Sequence, residues 1–127
     1  MTWSVLVVDD EPMTRTLLHL MLAPADYEVI EAGDGVEALA TIHEFLPDIV
    51  VLDVMMPNLD GLSVCRELRQ QEATRDLPII LLSAKTTSDA IQEGFLAGAN
   101  RYLTKPVSRK DLLDSLEELL SPDYVFP

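Results

Sequence analysis

Five polar side chains that could together act on a phosphoryl group each lie at the end of a segment that is predicted to form a strand. Asp9 and Asp10 lie after the first such segment, Asp53 after the third, Ser83 after the fourth and Lys105 after the fifth. Carboxylates gathered in one pocket repel each other unless a cation offsets their charge. Oxygen ligands of this kind, with positions left for water, suit Mg²⁺. Asp53 could then form an acyl phosphate, while Lys105 neutralises the phosphoryl charge and Ser83 donates a hydrogen bond.

Each of these residues also has an ordinary structural explanation when it is considered alone. Asp9 and Asp10 could stabilise the start of a helix, where acidic side chains are favourable. Ser83 could lie in a turn or cap a helix, and Lys105 could be a surface lysine. Asp53 argues against these explanations, because an acid that ends a fully apolar strand is costly without a purpose.

Short apolar runs alternate with helical patterns along the sequence, which predicts a doubly wound, five-stranded parallel sheet with helices on both faces. The predicted strands are residues 5–8, 27–31 (at an edge), 48–53, 77–82 and 101–104. The buried face of the second helix is predicted to carry Val36, Leu39, Ala40 and His43. Because parallel strands bring their carboxyl ends to one edge of the sheet, the five polar side chains should converge there.

The motifs resemble those of the receiver domains of two-component response regulators, from about residue 5 to residue 120. The matching segments, in the family's order and at its spacing, are Val7–Pro12, Asp48–Pro57, Asp60–Gly61, Leu82–Ala84 and Gly98–Pro106. The resemblance implies a flavodoxin-like (βα)₅ fold with strand order 2-1-3-4-5. It also implies a receiver domain over residues 1–120, followed at 121–127 by a tail or the start of a linker. Asn100-Arg101 departs from the family pattern, in which many relatives carry two acids here.

The resemblance also implies roles for individual residues. Asp53 is the expected phosphoacceptor, in a phosphorelay that transfers the group from a sensor histidine kinase or a histidine phosphotransfer domain. The expected Mg²⁺ ligands are Asp10, Asp53 and the main-chain carbonyl of Met55, with Asp9 acting through water. Lys105 is the expected phosphate-binding lysine, in a cis bond to Pro106. Ser83 and Tyr102 are the expected switch residues, which change the surface of the fourth helix, fifth strand and fifth helix.

Apolar residues of the first helix extend beyond one core stripe and permit two explanations. Met13 and Leu17 could be partly buried in the core, or they could form a docking patch for the phosphodonor together with Pro106 and Val107. Further expected partners are an output domain or a downstream protein. A second copy, paired through the surface of the fourth helix, fifth strand and fifth helix, is another option.

Composition narrows the class of protein. The 127 residues suit one domain, and 22 acidic against 9 basic residues give a formal net charge of −13. Such an acidic chain is not expected to bind nucleic acid directly. No apolar run approaches the roughly 20 residues that span a bilayer, and no signal peptide is expected. The single cysteine, Cys65, suits a reducing cytoplasm.

Two other classes of function remain as alternatives to the Mg²⁺-dependent phosphoacceptor. One is a phosphorylation-independent interaction module on the same fold, which the complete set of Asp10, Asp53, Ser83 and Lys105 argues against. The other is an enzyme, such as a flavin carrier or an aspartyl-phosphate phosphatase. A flavin carrier needs a hydroxyl-rich loop after the first strand, and a phosphatase needs an acid where Met55 stands. Only self-phosphorylation and self-dephosphorylation are therefore expected.

Overall fold

Five parallel strands form one sheet within residues 2–125, the part of the chain that this computed structural model describes. The strands are β1 (Ser4–Val8), β2 (Glu28–Ala32), β3 (Ile49–Asp53), β4 (Ile79–Ser83) and β5 (Arg101–Thr104). The helices are α1 (Pro12–Leu22), α2 (Gly35–Phe45), α3 (Gly61–Gln70), α4 (Ser88–Leu96) and α5 (Arg109–Leu120). The sheet order is β2-β1-β3-β4-β5, which confirms the predicted doubly wound fold.

Apolar side chains cover both faces of the sheet, because successive residues of a strand point to opposite sides. Leu6 and Leu52 belong to the core cluster that includes residues of α2 and α3. Val7 and Val51 belong to the opposite cluster, with residues of α1 and α5. Strands β3 and β4 are buried at every residue, whereas β2 exposes two glutamates, as expected of an edge strand.

The face predicted for the second helix is only partly the buried one, because Leu39 packs against the core but the other three predicted residues are exposed. Val36 is 62% exposed, and Ala40 and His43 are also exposed, whereas α2 buries Gly35, Ala38 and Ile42. The true stripe is one residue away from the predicted one, which corresponds to a rotation of about 100°. A Cβ at Gly35 would lie 2.5 Å from the carbonyl oxygen of Leu59, so the absence of a side chain there allows the helix to approach this loop in the observed rotation.

The predicted strand boundaries differ slightly from the observed ones. β4 begins at Ile79 and not at residue 77, and the intervening Pro78 has no amide hydrogen for a sheet ladder. The tail is described to residue 125. Tyr124 packs against the core cluster that includes residues of α1 and α5. Residues 1 and 126–127, which belong to the predicted domain and tail, lie outside the described residues. None of the helices in the described range has the length and apolar character that crossing a membrane requires.

Candidate functional site

Three carboxylates meet at the carboxyl ends of β1 and β3. Asp9 and Asp10 follow β1, and Asp53 is the last residue of β3. Oxygen atoms of the three side chains lie within 4.8 Å of one another. Asp9 is fully buried and Asp53 is 4% exposed, whereas Asp10 is exposed. The predicted convergence of these acids is therefore observed, with two members in the protein interior and one at the surface.

Lys105 reaches the two buried carboxylates from the end of β5. Its Nζ lies 2.8 Å from Asp9 Oδ2 and 3.3 Å from Asp53 Oδ1. The amide of Lys105 donates to the Ser83 carbonyl at 2.8 Å, which fixes this residue beside β4. The predicted cis bond between Lys105 and Pro106 is present. One ammonium group thus contacts both buried acids.

The pKa values of Asp53 and Lys105 are both raised. Burial is the main cause for Asp53, followed by the negative charge of Asp9, and Lys105 and the Met55 amide only partly offset them. Burial lowers the pKa of Lys105, but its contacts with Asp9 and Asp53 together outweigh that effect. Burial and the charge of Asp9 both disfavour the ionised form of Asp53, so a further cation at this site would stabilise that form.

The other residues predicted for the site are Ser83 at the end of β4, Tyr102 on β5 and Met55 after β3. Ser83 is fully buried, and its Oγ accepts a hydrogen bond from the Lys85 amide at 3.1 Å. The Tyr102 hydroxyl donates to the Lys85 carbonyl at 3.0 Å, so both predicted switch residues are tied to the loop before α4. The Met55 amide lies 3.3 Å from Asp53 Oδ1. Met55 is 56% exposed and lines an open cleft of about 550 Å³ together with Asp10 and Lys85.

An apolar groove of about 270 Å³ lies between α1 and the segment after β5. Leu17, Pro106 and Val107 line it, as does the carbon chain of Lys105. Leu17 is 51% exposed, so its side chain is not fully used in the core. Met13 is 81% exposed but is not among the groove's lining residues. Three of the four residues predicted to dock a partner therefore share one groove.

One residue beside the site, Arg15, was not identified from the sequence. It donates from Nη1 to the main-chain carbonyl of Asp9 at 2.6 Å. Its position on the first helix, five residues after Asp10, was the only available signal. Asn100, where the sequence departs from the family pattern, lies away from the site, and it is buried with its side-chain oxygen accepting from the Ile79 amide and the Arg69 guanidinium.

The family model of the response regulator receiver domain matches residues 5–117. The chain belongs to this family. The response regulator MprA of Mycobacterium sp. (strain KMS) is 48% identical over 122 residues, which cover 94% of this receiver domain and 52% of MprA. The chain spans about half the length of the curated relatives it matches.

Solved receiver structures share the fold of this chain. A putative response regulator from Chloroflexus aurantiacus superposes with a TM-score of 0.91 at 39% identity, covering 94% of this chain and 98% of that one. The receiver domain of the sensor histidine kinase PA1611 from Pseudomonas aeruginosa superposes with a TM-score of 0.85 at 34% identity, covering 92% and 96%. That structure has a magnesium ion coordinated in its active-site cleft.

Proposed function

We propose that this receiver domain accepts a phosphoryl group on Asp53 from a histidine kinase or a histidine phosphotransfer domain, in a Mg²⁺-dependent reaction. The observation that carries the proposal is the position of Lys105, whose ammonium contacts Asp53 and Asp9 beside the exposed carboxylate of Asp10. This arrangement provides a nucleophile, a cation for the phosphoryl oxygens and ligands for a metal within one site.

Asp53 is the group that forms the new bond. Its oxygen attacks phosphorus as the donor's N–P bond breaks, and the imidazole nitrogen leaves with the bonding electron pair. Attack requires the ionised carboxylate, which Lys105 favours and which burial opposes. Because Asp53 ends a strand that is buried throughout, its carboxylate is held by the sheet and needs little reorganisation before attack.

The donor set fits Mg²⁺. Asp10 and Asp53 would bind the metal directly with the main-chain carbonyl of Met55, and Asp9 would act through water. When bound, Mg²⁺ supplies positive charge that offsets the developing charge on the transferred group. The fit rests on hard oxygen ligands and on the charge balance, since the ammonium of Lys105, which contacts Asp9 and Asp53, offsets only part of the charge of three carboxylates.

Ser83 and Tyr102 would convert phosphorylation into a change of surface. The Ser83 hydroxyl would donate a hydrogen bond to a phosphoryl oxygen, and its movement toward that oxygen would pull Oγ away from the Lys85 amide, whose hydrogen bond Oγ accepts. The Tyr102 hydroxyl donates a hydrogen bond to the Lys85 carbonyl, so movement of the loop before α4 would displace the Tyr102 side chain on β5. The group thereby favours one conformer of the surface formed by α4, β5 and α5.

The phosphodonor would dock on the groove between α1 and the segment after β5. Leu17, Pro106 and Val107 supply apolar contacts there, and Lys105 lines the same groove, so a bound partner is brought close to Asp53. Met13 would contribute from the neighbouring surface of α1.

We further propose that signalling takes place in the cytoplasm and that residues 1–120 act as the receiver, with residues 121–127 as a tail or the start of a linker. The effector is an output domain or a separate downstream protein. No enzymatic activity is proposed beyond self-phosphorylation and self-dephosphorylation, and direct nucleic-acid binding by this segment is not expected from its charge.

Intact-mass spectrometry after incubation with acetyl phosphate tests the proposal, with and without Mg²⁺, on wild type and Asp53→Ala. We expect one phosphoryl adduct that requires Mg²⁺, is absent from the variant and is blocked by beryllofluoride. If small donors give no adduct, a panel of histidine kinases is tested. Failure of both would overturn the proposal in favour of the phosphorylation-independent interaction module.

A further inference from the structure

Arg15 connects the loop after β1, which carries Asp9 and Asp10, to the edge strand β2. Its Nη1 donates to the Asp9 carbonyl at 2.6 Å, and its Nε lies 3.2 Å from Glu31 Oε1 on β2. The other Glu31 oxygen lies 3.2 Å from His19 Nδ1. The Arg15 side chain is 20% exposed, so most of it is packed against the loop and β2 and is not extended into solvent.

The main chain of Asp9 depends on this contact. The Asp9 amide donates to the Ala32 carbonyl at 3.2 Å, and Asp9 Oδ1 accepts from the Glu11 amide at 2.9 Å. Arg15 is the hydrogen-bond donor found for the Asp9 carbonyl among the described residues. That carbonyl belongs to the peptide that joins Asp9 to Asp10, so its orientation determines where the Asp10 backbone begins.

We propose that Arg15 is a positioning residue for the Mg²⁺ site: by fixing the peptide between Asp9 and Asp10, it aims the Asp10 carboxylate toward Asp53. This inference rests on the proposed function, because it assigns Arg15 to the same metal site. Glu31 holds the guanidinium in place through its charge and its hydrogen bond. Loss of such supporting contacts typically weakens metal affinity by about 10-fold or more.

The sign of the effect separates positioning from simple electrostatics. A cation near three carboxylates repels Mg²⁺, so removal of its charge alone would tighten metal binding. Removal of a group that positions a ligand weakens metal binding instead. A variant without the guanidinium therefore gives opposite results under the two explanations.

Isothermal titration of Mg²⁺ into the metal-free full chain, at fixed ionic strength, measures this sign. We expect Arg15→Met to raise the Kd for Mg²⁺ by about 10-fold. Arg15→Lys should give a smaller increase, because lysine keeps the charge but not the fork of donors. Arg66→Met is the matched control, since it removes an exposed arginine of α3, and its Kd should equal that of wild type.

Thermal unfolding in EDTA shows whether each variant folds. If Arg15→Met does not fold, Arg15→Lys provides the test, because it keeps the positive charge but loses the fork of donors, so a raised Kd in that variant reports positioning and not charge. Wild-type or tighter binding in the folded Arg15 variants would overturn the inference while leaving the proposed function intact. Absence of Mg²⁺ binding to wild type would instead overturn the metal-dependent function, and this inference with it.

Discussion

The Tyr102 ring of β5 packs directly against Gly94 of α4. A Cβ at Gly94 would lie 2.8 Å from Tyr102 Cδ2 and 3.2 Å from Cε2. It would also lie 3.1 Å from Leu81 Cδ1, so the ring fills the space that the missing side chain leaves between the helix and β4. The absence of one methyl group in α4 thus permits the observed position of the proposed switch residue.

Gly94→Ala should displace the Tyr102 ring. Alanine is favoured over glycine in a helix by about 1 kcal/mol, so without the ring the substitution would raise the free energy of unfolding by that amount. With the ring present, the close contact should cancel part or all of the gain and weaken the hydrogen bond to the Lys85 carbonyl. Urea denaturation of both proteins, with NMR of the Tyr102 ring, measures these effects.

A Tyr102→Ala background supplies the control for this substitution. There Gly94→Ala should give a larger gain, up to about 1 kcal/mol, because the ring is absent and only the contact with Leu81 remains. An equal gain in both backgrounds would show that Gly94 does not determine the position of Tyr102.

Asp53→Asn should stabilise the metal-free protein at neutral pH. The pKa of Asp53 is raised in the folded state, so its ionisation costs folding free energy that the amide avoids. A gain of roughly 1 kcal/mol would raise the Tm by about 4 °C in a domain of this size. Thermal unfolding in EDTA measures it.

The gain in stability from Asp53→Asn should depend on pH. The cost is absent below the unfolded pKa of 3.8, grows as the pH rises from there to the raised folded pKa, and is constant above it. The difference between Asp53→Asn and wild type should therefore be largest at neutral pH and shrink toward pH 4. A constant difference across this range would contradict the raised pKa.

Asn100→Ala should destabilise the fold without affecting phosphorylation. Asn100 Oδ1 accepts from the Ile79 amide at 2.8 Å and from Arg69 at 3.0 Å, and the residue is 7% exposed. An unsatisfied buried donor costs about 1–3 kcal/mol, which urea denaturation would detect. Asn100→Asp keeps the acceptor oxygen and should cost less. Phosphorylation by acetyl phosphate should stay at the wild-type rate, because Asn100 lies before the amino-terminal end of β5, whereas Asp53 lies at the carboxyl end of β3.

Leu17→Asp should block phosphotransfer from a histidine donor but leave labelling by acetyl phosphate unchanged. The substitution places a charge in the apolar groove that would receive the donor, without altering the acids or Lys105. Transfer from a cognate kinase should fall by at least about 10-fold, the equivalent of 1.4 kcal/mol. Leu20→Asp is the control, since Leu20 is 65% exposed on the same helix but does not line the groove. Unaltered transfer to Leu17→Asp would exclude this groove as the docking site.

The chain should remain monomeric after activation by beryllofluoride, in contrast to the option of a homodimer through α4, β5 and α5. Exposed acids dominate this surface, namely Asp89, Glu93, Asp111, Asp114, Glu117 and Glu118. Arg101 and Lys110 already form ion pairs with Glu118 and Asp114, so Arg109 is the exposed basic residue of these elements that could pair with a second copy. Sedimentation velocity at low salt measures the oligomeric state of the activated protein, and a dimer under these conditions would refute this prediction.

The sequence by itself determined the order of elements and the members of the acidic site. Strands β1, β3 and β4 are short apolar runs, and the polar residues at their ends need no long-range information to be recognised. Because parallel strands end at one edge, the convergence of Asp9, Asp10, Asp53, Ser83 and Lys105 followed from chain order. The exposure of both glutamates on β2 likewise agreed with the edge position predicted from its composition.

Only the tertiary structure decided how elements rotate and which distant groups pair. The buried face of α2 was predicted one residue out of place, because the close approach of Gly35 to Leu59 depends on a loop far along the chain. The contacts of Arg15 with Asp9 and of Gly94 with Tyr102 likewise join different elements. Local periodicity records which residues are apolar, but the space and the hydrogen-bond partners around a side chain exist only once the elements have packed.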